Sequence, residues 1–281
     1  MRFLRIISTV LKYLVLIAIL CVTIFPIFYV ISSSFKSNME ILTSGIQILP
    51  KKFVLENYKQ AWELANFKQY TFNSIYLSFF SVLGIVITSS FAGYTFARGN
   101  FAGKKLLFAI FTSTMFISFG SATLYPLLGV AKALHINKNL WGIILINVFG
   151  VNITNIFLVR GHVLSLPKEI DEAAIIDGCD FFQIFVHIIA PLLKPILATV
   201  ALLSFQTTWN DYLLPMVFTL SNKAHAPLIV GIVALKSTGE AAASWNLMMA
   251  GTTISIIPIL IVFLCLNKYF IKGLTAGAVK G

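Results

Sequence analysis

The chain has 281 residues, 58% of them apolar and only 11% charged, with a mean hydropathy of +0.89. A soluble globular domain carries about 25% charged residues, so this composition excludes a free soluble domain and suits lipid. The net charge of +11 does not mark a nucleic-acid partner, because the basic residues sit at the ends of apolar runs with no dense patch and no zinc-ligand spacing.

A bilayer core takes about 20 apolar residues to cross as helix. Six stretches qualify, roughly 11–32, 71–96, 106–130, 139–160, 195–219 and 247–267. The first follows Arg2 and Arg5 and carries Lys12 at its start. It exceeds the apolar core of about 7–15 residues of a signal peptide, and so reads as an uncleaved spanning helix. The second and third contain Ser, Thr and Gly, which let helices approach closely. Pro26, Pro126, Pro215 and Pro258 lie in or near span ends and are candidate kinks. The expected fold class is an all-α polytopic membrane protein of six transmembrane helices, a single domain over 1–281.

Two connecting segments are long, 33–70 and 220–246. In the first, Pro50 predicts a turn, and the periodic stretch after it predicts a short amphipathic helix. The second mixes polar residues and Gly239 with small apolar ones and predicts no span. Both are expected to cap the outer mouth of the bundle, and no soluble catalytic domain is expected.

Six spans put both termini on one side. Arg2, Arg5, Lys12, Arg98, Lys104, Lys105, Arg160, Lys168, Lys194, Lys268, Lys272 and Lys280 all fall on that side, twelve of the 21 Lys and Arg. Basic residues concentrate in short cytoplasmic loops. Both termini are therefore expected in the cytoplasm.

The segment LPKEIDEAAIIDGCDFFQIFVHIIAPLLKP, 166–195, is more patterned than a polar loop. Ser165 is a candidate helix cap, with Pro167 tolerated in the first turn. Glu169, Asp171 and Glu172 then lie near the positive end of that helix. Ala173 and Ala174 keep its surface slim for a close-packing neighbour, and Gly178 permits a stop or sharp bend. A second helix is predicted from Asp180, with Gln183 completing a capping box. Phe181, Ile184, Phe185 and Ile188 form its apolar stripe, and Pro191 and Pro195 bracket the entry to the fifth span. The prediction is a helix–turn–helix shelf joined to a membrane helix. Periodicity alone fits equally well a surface loop that packs under its own bundle.

Glu172-Ala173-Ala174, Asp177-Gly178, Ile188, Pro191 and Pro195 resemble the cytoplasmic loop of ABC importer permeases. SFKSNMEI at 34–41, ENYKQAW at 56–62, TTWNDYLLP at 207–215 and YFIKGLTAGAVKG at 269–281 extend the likeness along the chain. They make it similar to the MalG-like branch of carbohydrate permeases. Cys179 stands where that family often has Ala.

The resemblance implies a permease that forms half of a translocation pathway and couples ATPase closure to alternating access. Its implied partners are a second permease subunit in a heterodimer, two ATPase subunits, an extracytoplasmic solute-binding protein, a carbohydrate and the lipid bilayer. Glu172 is implied as the acidic contact to the ATPase, and Ala173 and Ala174 as the close-packing surface. Gly178 is implied as the turn that sets the docking angle, and Asp177 as part of the same ATPase-coupling set. The tail, with Thr275, Gly277, Lys280 and Gly281, is implied to reach the ATPase dimer interface.

The chain contains no GxxxxGK[ST] phosphate loop. ATP and Mg²⁺ are thus expected on the partner ATPase, and this subunit is expected to catalyse nothing and to hold no metal. His135, His162, His187 and His225 are dispersed, as are Cys21, Cys179 and Cys265, and neither set suggests a site or a disulfide. Asn152-Ile-Thr matches a glycosylation pattern but falls inside a span. Candidate pathway residues are Asn152, beside Asn147 and Asn155, and the group Gln206, Trp209, Asn210 and Asp211 with Thr207 and Thr208. Trp209 is suited to stacking on a sugar face. Polar groups at membrane depth need partners or water, and the same residues also suit hydrogen bonds between helices. Open alternatives are a glycerol-phosphate-like cargo, an ion-coupled secondary transporter, and a purely structural membrane protein.

Overall fold

Long apolar runs impose helices, and several of them break where Gly, Pro or Asn is set among the apolar residues. The computed structural model describes residues 2–45, 47–117, 120–237 and 243–278. In chain order its helices are α1 (Arg2–Ser33), α2 (Asn38–Thr43), α3 (Glu56–Leu64), α4 (Phe67–Arg98), α5 (Lys104–Ser113), α6 (Leu124–Ala133) and α7 (Leu140–Phe149). There follow α8 (Ile153–Ser165), α9 (Glu169–Ile176), α10 (Phe181–Leu192), α11 (Lys194–Asn210), α12 (Leu213–Thr219), α13 (Leu228–Ala234) and α14 (Trp245–Ala278).

Three of these are long and apolar enough to cross a membrane: Thr9–Ser33 of α1, the whole of α4, and Trp245–Lys268 of α14. The number rises to five if the bent pairs α7/α8 and α10/α11 each count as one span. The described residues are thus those of an all-α polytopic membrane protein with three to five apolar spans. Pro26 and Pro258 lie inside α1 and α14 without ending either helix.

Three predicted spans are interrupted. The 106–130 stretch forms α5 and α6 with 3-10 turns at Thr114–Phe116 and Gly120–Thr123 between them. The hydroxyls of Thr112, Ser113 and Thr114 bond back to backbone carbonyls there, and Gly120 takes φ +54°. Both features loosen a helix. The 139–160 stretch bends by 43° between α7 and α8, where Gly150 and Asn152 interrupt it. The 195–219 stretch breaks between Asn210 and Leu213.

The chain divides into two compact units, residues 1–68 with 231–257, and residues 69–230 with 258–281. In the first, α3 is the amphipathic helix predicted after Pro50, with Ala61 fully buried and Asn57 3% exposed. Asn57 Nδ2 donates to the carbonyls of Ser34 and Lys36, each at 2.8 Å. Lys36 is buried, donates to the Gln47 carbonyl, and places its ammonium 5.1 Å from the Tyr29 ring centre. A buried ammonium needs such partners, because desolvating it alone is costly. Gly239 falls outside the described residues.

In the second unit, α4 packs on α8 through a close approach. A Cβ built on Gly93 would lie 2.6 Å from Val159 Cγ1, so only glycine fits. One apolar core joins Ile85 and Tyr94 of α4, Val159 and Val163 of α8, Ala174 of α9, Ile184, Phe185 and Ile189 of α10, and Ile196 and Val200 of α11. Another joins Leu77 of α4, Ile143 and Ile144 of α7, and Leu214 and Phe218 of α12.

Candidate functional site

The 166–195 segment folds as two short helices around a tight turn. α8 runs through Ser165, whose hydroxyl donates to the His162 carbonyl rather than capping the next helix. Pro167 falls between the helices, and α9 begins at Glu169 with no side-chain cap. Arg98 instead fixes the loop ahead of α9, donating from Nη2 to the carbonyls of Leu166 at 2.8 Å and Pro167 at 3.3 Å.

α9 ends as its sequence predicts. Gly178 takes φ +85°, its N–H bonds to the Ile175 carbonyl at 3.0 Å, and the Cys179 N–H reaches the Ala174 carbonyl at 3.0 Å. This pair of bonds is a Schellman motif, which needs a left-handed residue and favours glycine. Asp180 then caps α10. Its carboxylate accepts from the Gln183 N–H at 2.7 Å, and its own N–H donates to Gln183 Oε1 at 2.9 Å. Of the predicted stripe, Ile184 and Phe185 are buried, Ile188 is half-buried and Phe181 is exposed.

From Ile184 to Ile189, α10 widens into a π-helical stretch, followed by an 80° bend at Leu193 into α11. Pro191 and Pro195 lack the N–H groups a continuous α-helix requires there, which accounts for both irregularities.

The two alanines separate. Ala174 is 3% exposed and packs in the chain's own core, whereas Ala173 faces outward. The exposed face of α9 therefore carries Glu172, Ala173 and Asp177 together with Ile175 and Ile176, which are 62% and 85% exposed. The two isoleucines did not stand out in the sequence, although their spacing puts them opposite Ala174.

Asp171 turns inward. Its Oδ2 lies 2.9 Å from Arg98 Nε, and Oδ1 lies 3.4 Å from the Tyr94 hydroxyl. The neighbouring end of α4 is ringed by cations. Lys104 Nζ donates to the Gly99 carbonyl at 2.7 Å, and Arg160 Nε donates to the Phe96 carbonyl at 3.2 Å. Positive charge is favoured there, because a helix C-terminus leaves carbonyls unpaired and negative. Burial, and then the charges of Arg160 and Lys168, draw the Lys104 ammonium below its ordinary range.

The predicted pathway residues border two cavities of mixed polar and apolar lining at the breaks between helices. One, of about 600 Å³, is lined by Asn152, Asn155, Ser204, Gln206, Thr207 and Asn210 among others. The second, of about 440 Å³, adds Asn147, Thr208 and Asp211 and shares Asn152, Thr207 and Asn210 with the first. Amides hold the walls together: Asn152 Nδ2 donates to the Asn147 carbonyl at 2.8 Å, and Asn155 Nδ2 donates to Ser204 Oγ at 3.1 Å. α8 starts at this wall without a side-chain cap. Interrupted helices at membrane depth are tolerated where they line a polar cavity, since the freed backbone groups need partners.

Trp209 is placed elsewhere. It is 5% exposed, stacks on Phe205 with ring centres 5.4 Å apart, and borders an almost wholly apolar cavity with Phe79 and Leu83 of α4 and Ile261 of α14. Of the predicted tail contacts, Thr275 and Gly277 lie within α14, and Lys280 and Gly281 lie outside the described residues.

Known proteins are similar to this chain in sequence and in fold. A permease protein of Thermoanaerobacterium thermosulfurigenes, named for a probable starch degradation products transport system, is 34% identical over 91% of both chains. The galactooligosaccharides transport system permease of Bacillus subtilis is 30% identical over 100% of this chain and 99% of its own. A subunit in the crystal structure of a bacterial ABC transporter involved in importing the acidic polysaccharide alginate superposes with a TM-score of 0.76 at 26% identity. That match covers 94% of this chain and 96% of the other. Residues 89–276 match the family described as the binding-protein-dependent transport system inner membrane component, and the chain belongs to that family.

Proposed function

We infer that this chain is a transmembrane permease subunit of an ATP-driven carbohydrate importer. The observation that carries the reading is the end-to-end likeness to permeases named for oligosaccharide transport. As the membrane component of such a system the subunit is non-catalytic. ATP and Mg²⁺ belong to a separate ATPase, and the complex includes a second permease and a solute-binding protein.

The finer reading is a MalG-like permease domain over 1–281 with six spans, both termini in the cytoplasm, and a heterodimeric partner. The broken 106–130 stretch would supply the sixth crossing, and twelve basic residues on one side of that topology support the orientation. The 166–195 helix–turn–helix is the coupling element. Glu172, Ala173, Asp177 and Gly178 form its outward contact to the ATPase, Ala174 sets it from within, and the tail about Thr275 to Gly281 adds a second contact. The cavities around Asn152, Gln206, Asn210 and Asp211 form this subunit's share of the pathway. Their lining of amides and hydroxyls suits a sugar. Trp209 supports that wall from its apolar side.

The test is ATP hydrolysis by the reconstituted complex of both permeases, ATPase and binding protein, with candidate sugars added in turn. One sugar raising the rate above the sugar-free baseline is the expected result. A complex that assembles and responds to no carbohydrate would move the assignment to another solute.

A further inference from the structure

The shelf that follows α8 is held by α4 as well as by its own chain ends. Arg98 closes α4, and its guanidinium reaches Asp171 on α9 at 2.9 Å and the carbonyls of Leu166 and Pro167 at 2.8 and 3.3 Å. Both charged side chains are nearly sealed from solvent, 8% exposed for Arg98 and 13% for Asp171. One turn back, Tyr94 brings its hydroxyl to 3.4 Å from Asp171 and packs its ring 4.6 Å from Phe181 and 5.3 Å from Phe185. One turn further, the Phe91 ring lies 5.4 Å from Phe185. Residues 91, 94 and 98 share one helix face, so the last two turns of α4 grip the loop before α9, α9 itself and α10.

The covalent link from α10 to α11 is of a different kind. It passes through the π-helical stretch Ile184–Ile189 and an 80° bend flanked by Pro191 and Pro195. Prolines remove backbone bonds and soften a junction. Pulling α9 away from α4, by contrast, would leave two buried charges unpaired.

We propose that the Arg98–Asp171 pair, seated on Tyr94, is the clamp that carries displacement of the shelf into α4, with the bend at Leu193 acting as the hinge toward α11. The inference rests on the coupling role given to 166–195 under the proposed function. Arg98, Asp171 and Tyr94 are positioning residues in this scheme, since they act through the shelf and touch neither ATP nor cargo.

The experiment compares wild type with Asp171→Asn in the complete importer reconstituted in liposomes. Three quantities are read: ATPase co-purified per permease, ATP hydrolysed, and sugar taken up per ATP. Asp171→Asn keeps the side chain's shape and removes its charge. The ATPase should co-purify at wild-type yield while uptake per ATP falls by about tenfold or more. If Asp171→Asn fails to accumulate, the double variant Arg98→Leu/Asp171→Leu removes both charges without stranding either and should show the same uncoupling. Unchanged uptake per ATP in the assembled variant overturns the clamp. So does a loss of uptake that only tracks a loss of protein at constant uptake per ATP. Failure of the wild-type chain to bind any ATPase would overturn the coupling reading itself, and the clamp with it.

Discussion

Asn246 Nδ2 donates to Asn57 Oδ1 at 2.8 Å, joining positions 189 residues apart in the chain. The same Asn57 amide holds the carbonyls of Ser34 and Lys36, so one side chain ties α3, the end of α1 and the start of α14 together. Asn57→Leu should therefore strand two carbonyls and one amide, at about 1–3 kcal/mol for each group left unpaired in a buried site. Thermal unfolding in detergent should show a clearly lowered midpoint. An unchanged midpoint would mean that water replaces the lost bonds.

The turn at Gly178 offers a cleaner separation of causes. A Cβ at this position meets nothing within 4 Å in this chain, so within the subunit a substitution acts through backbone strain rather than a clash. At φ +85° an L-residue is strained by about 1–2 kcal/mol, and Asn suffers least. ATPase co-purification should then fall in the order Gly178→Asn, Gly178→Ala, Gly178→Val. If all three bind the ATPase as wild type does, the turn does not set the docking angle.

Glu172 is exposed beside Ile175 and Ile176, an acidic group next to two unburied apolar ones. Glu172→Lys should weaken ATPase association through charge reversal and leave membrane insertion intact. The effect should shrink as salt is raised, because exposed charges are screened over about 8 Å at physiological ionic strength. Uptake and ATPase binding equal to wild type would remove Glu172 from the contact.

Trp209 and Asn210 are neighbours with opposite surroundings, and they should fail differently. Trp209→Ala empties an apolar site against Phe205, which costs about 3–5 kcal/mol and should lower the amount of folded protein. Asn210→Ala alters a polar cavity wall and should leave yield intact while changing the sugar dependence of transport. Yield and transport falling together for Asn210→Ala would place it with the structural residues. A sugar-specific defect at full yield for Trp209→Ala would return the indole to the pathway.

Much of this was legible in the order of residues. The helical class follows from apolar runs of spanning length, and the turn at Gly178 and the capping box at Asp180 follow from residues within four positions of each other. The breaks were harder to read, because Gly150, Asn152 and Asp211 are each tolerated in a membrane helix if neighbours satisfy the backbone. Whether they bend it depends on what lies alongside.

By itself, then, the sequence determined the lipid-suited composition, the α-helices, and the ends of α9 and α10, all set by local hydrogen bonding and hydropathy. Only the tertiary structure decided that Ala174 faces inward while Ala173 faces out, that Trp209 lies on the apolar side of α11, and that Arg98 meets Asp171 across 73 positions of chain. Arg98 looked like a topology charge and Asp171 like one acid of a first helical turn. Their pairing depends on how closely α4 can approach the α8–α9 corner. Gly93 permits that approach by leaving room for Val159, a fact of packing between helices that no local pattern encodes.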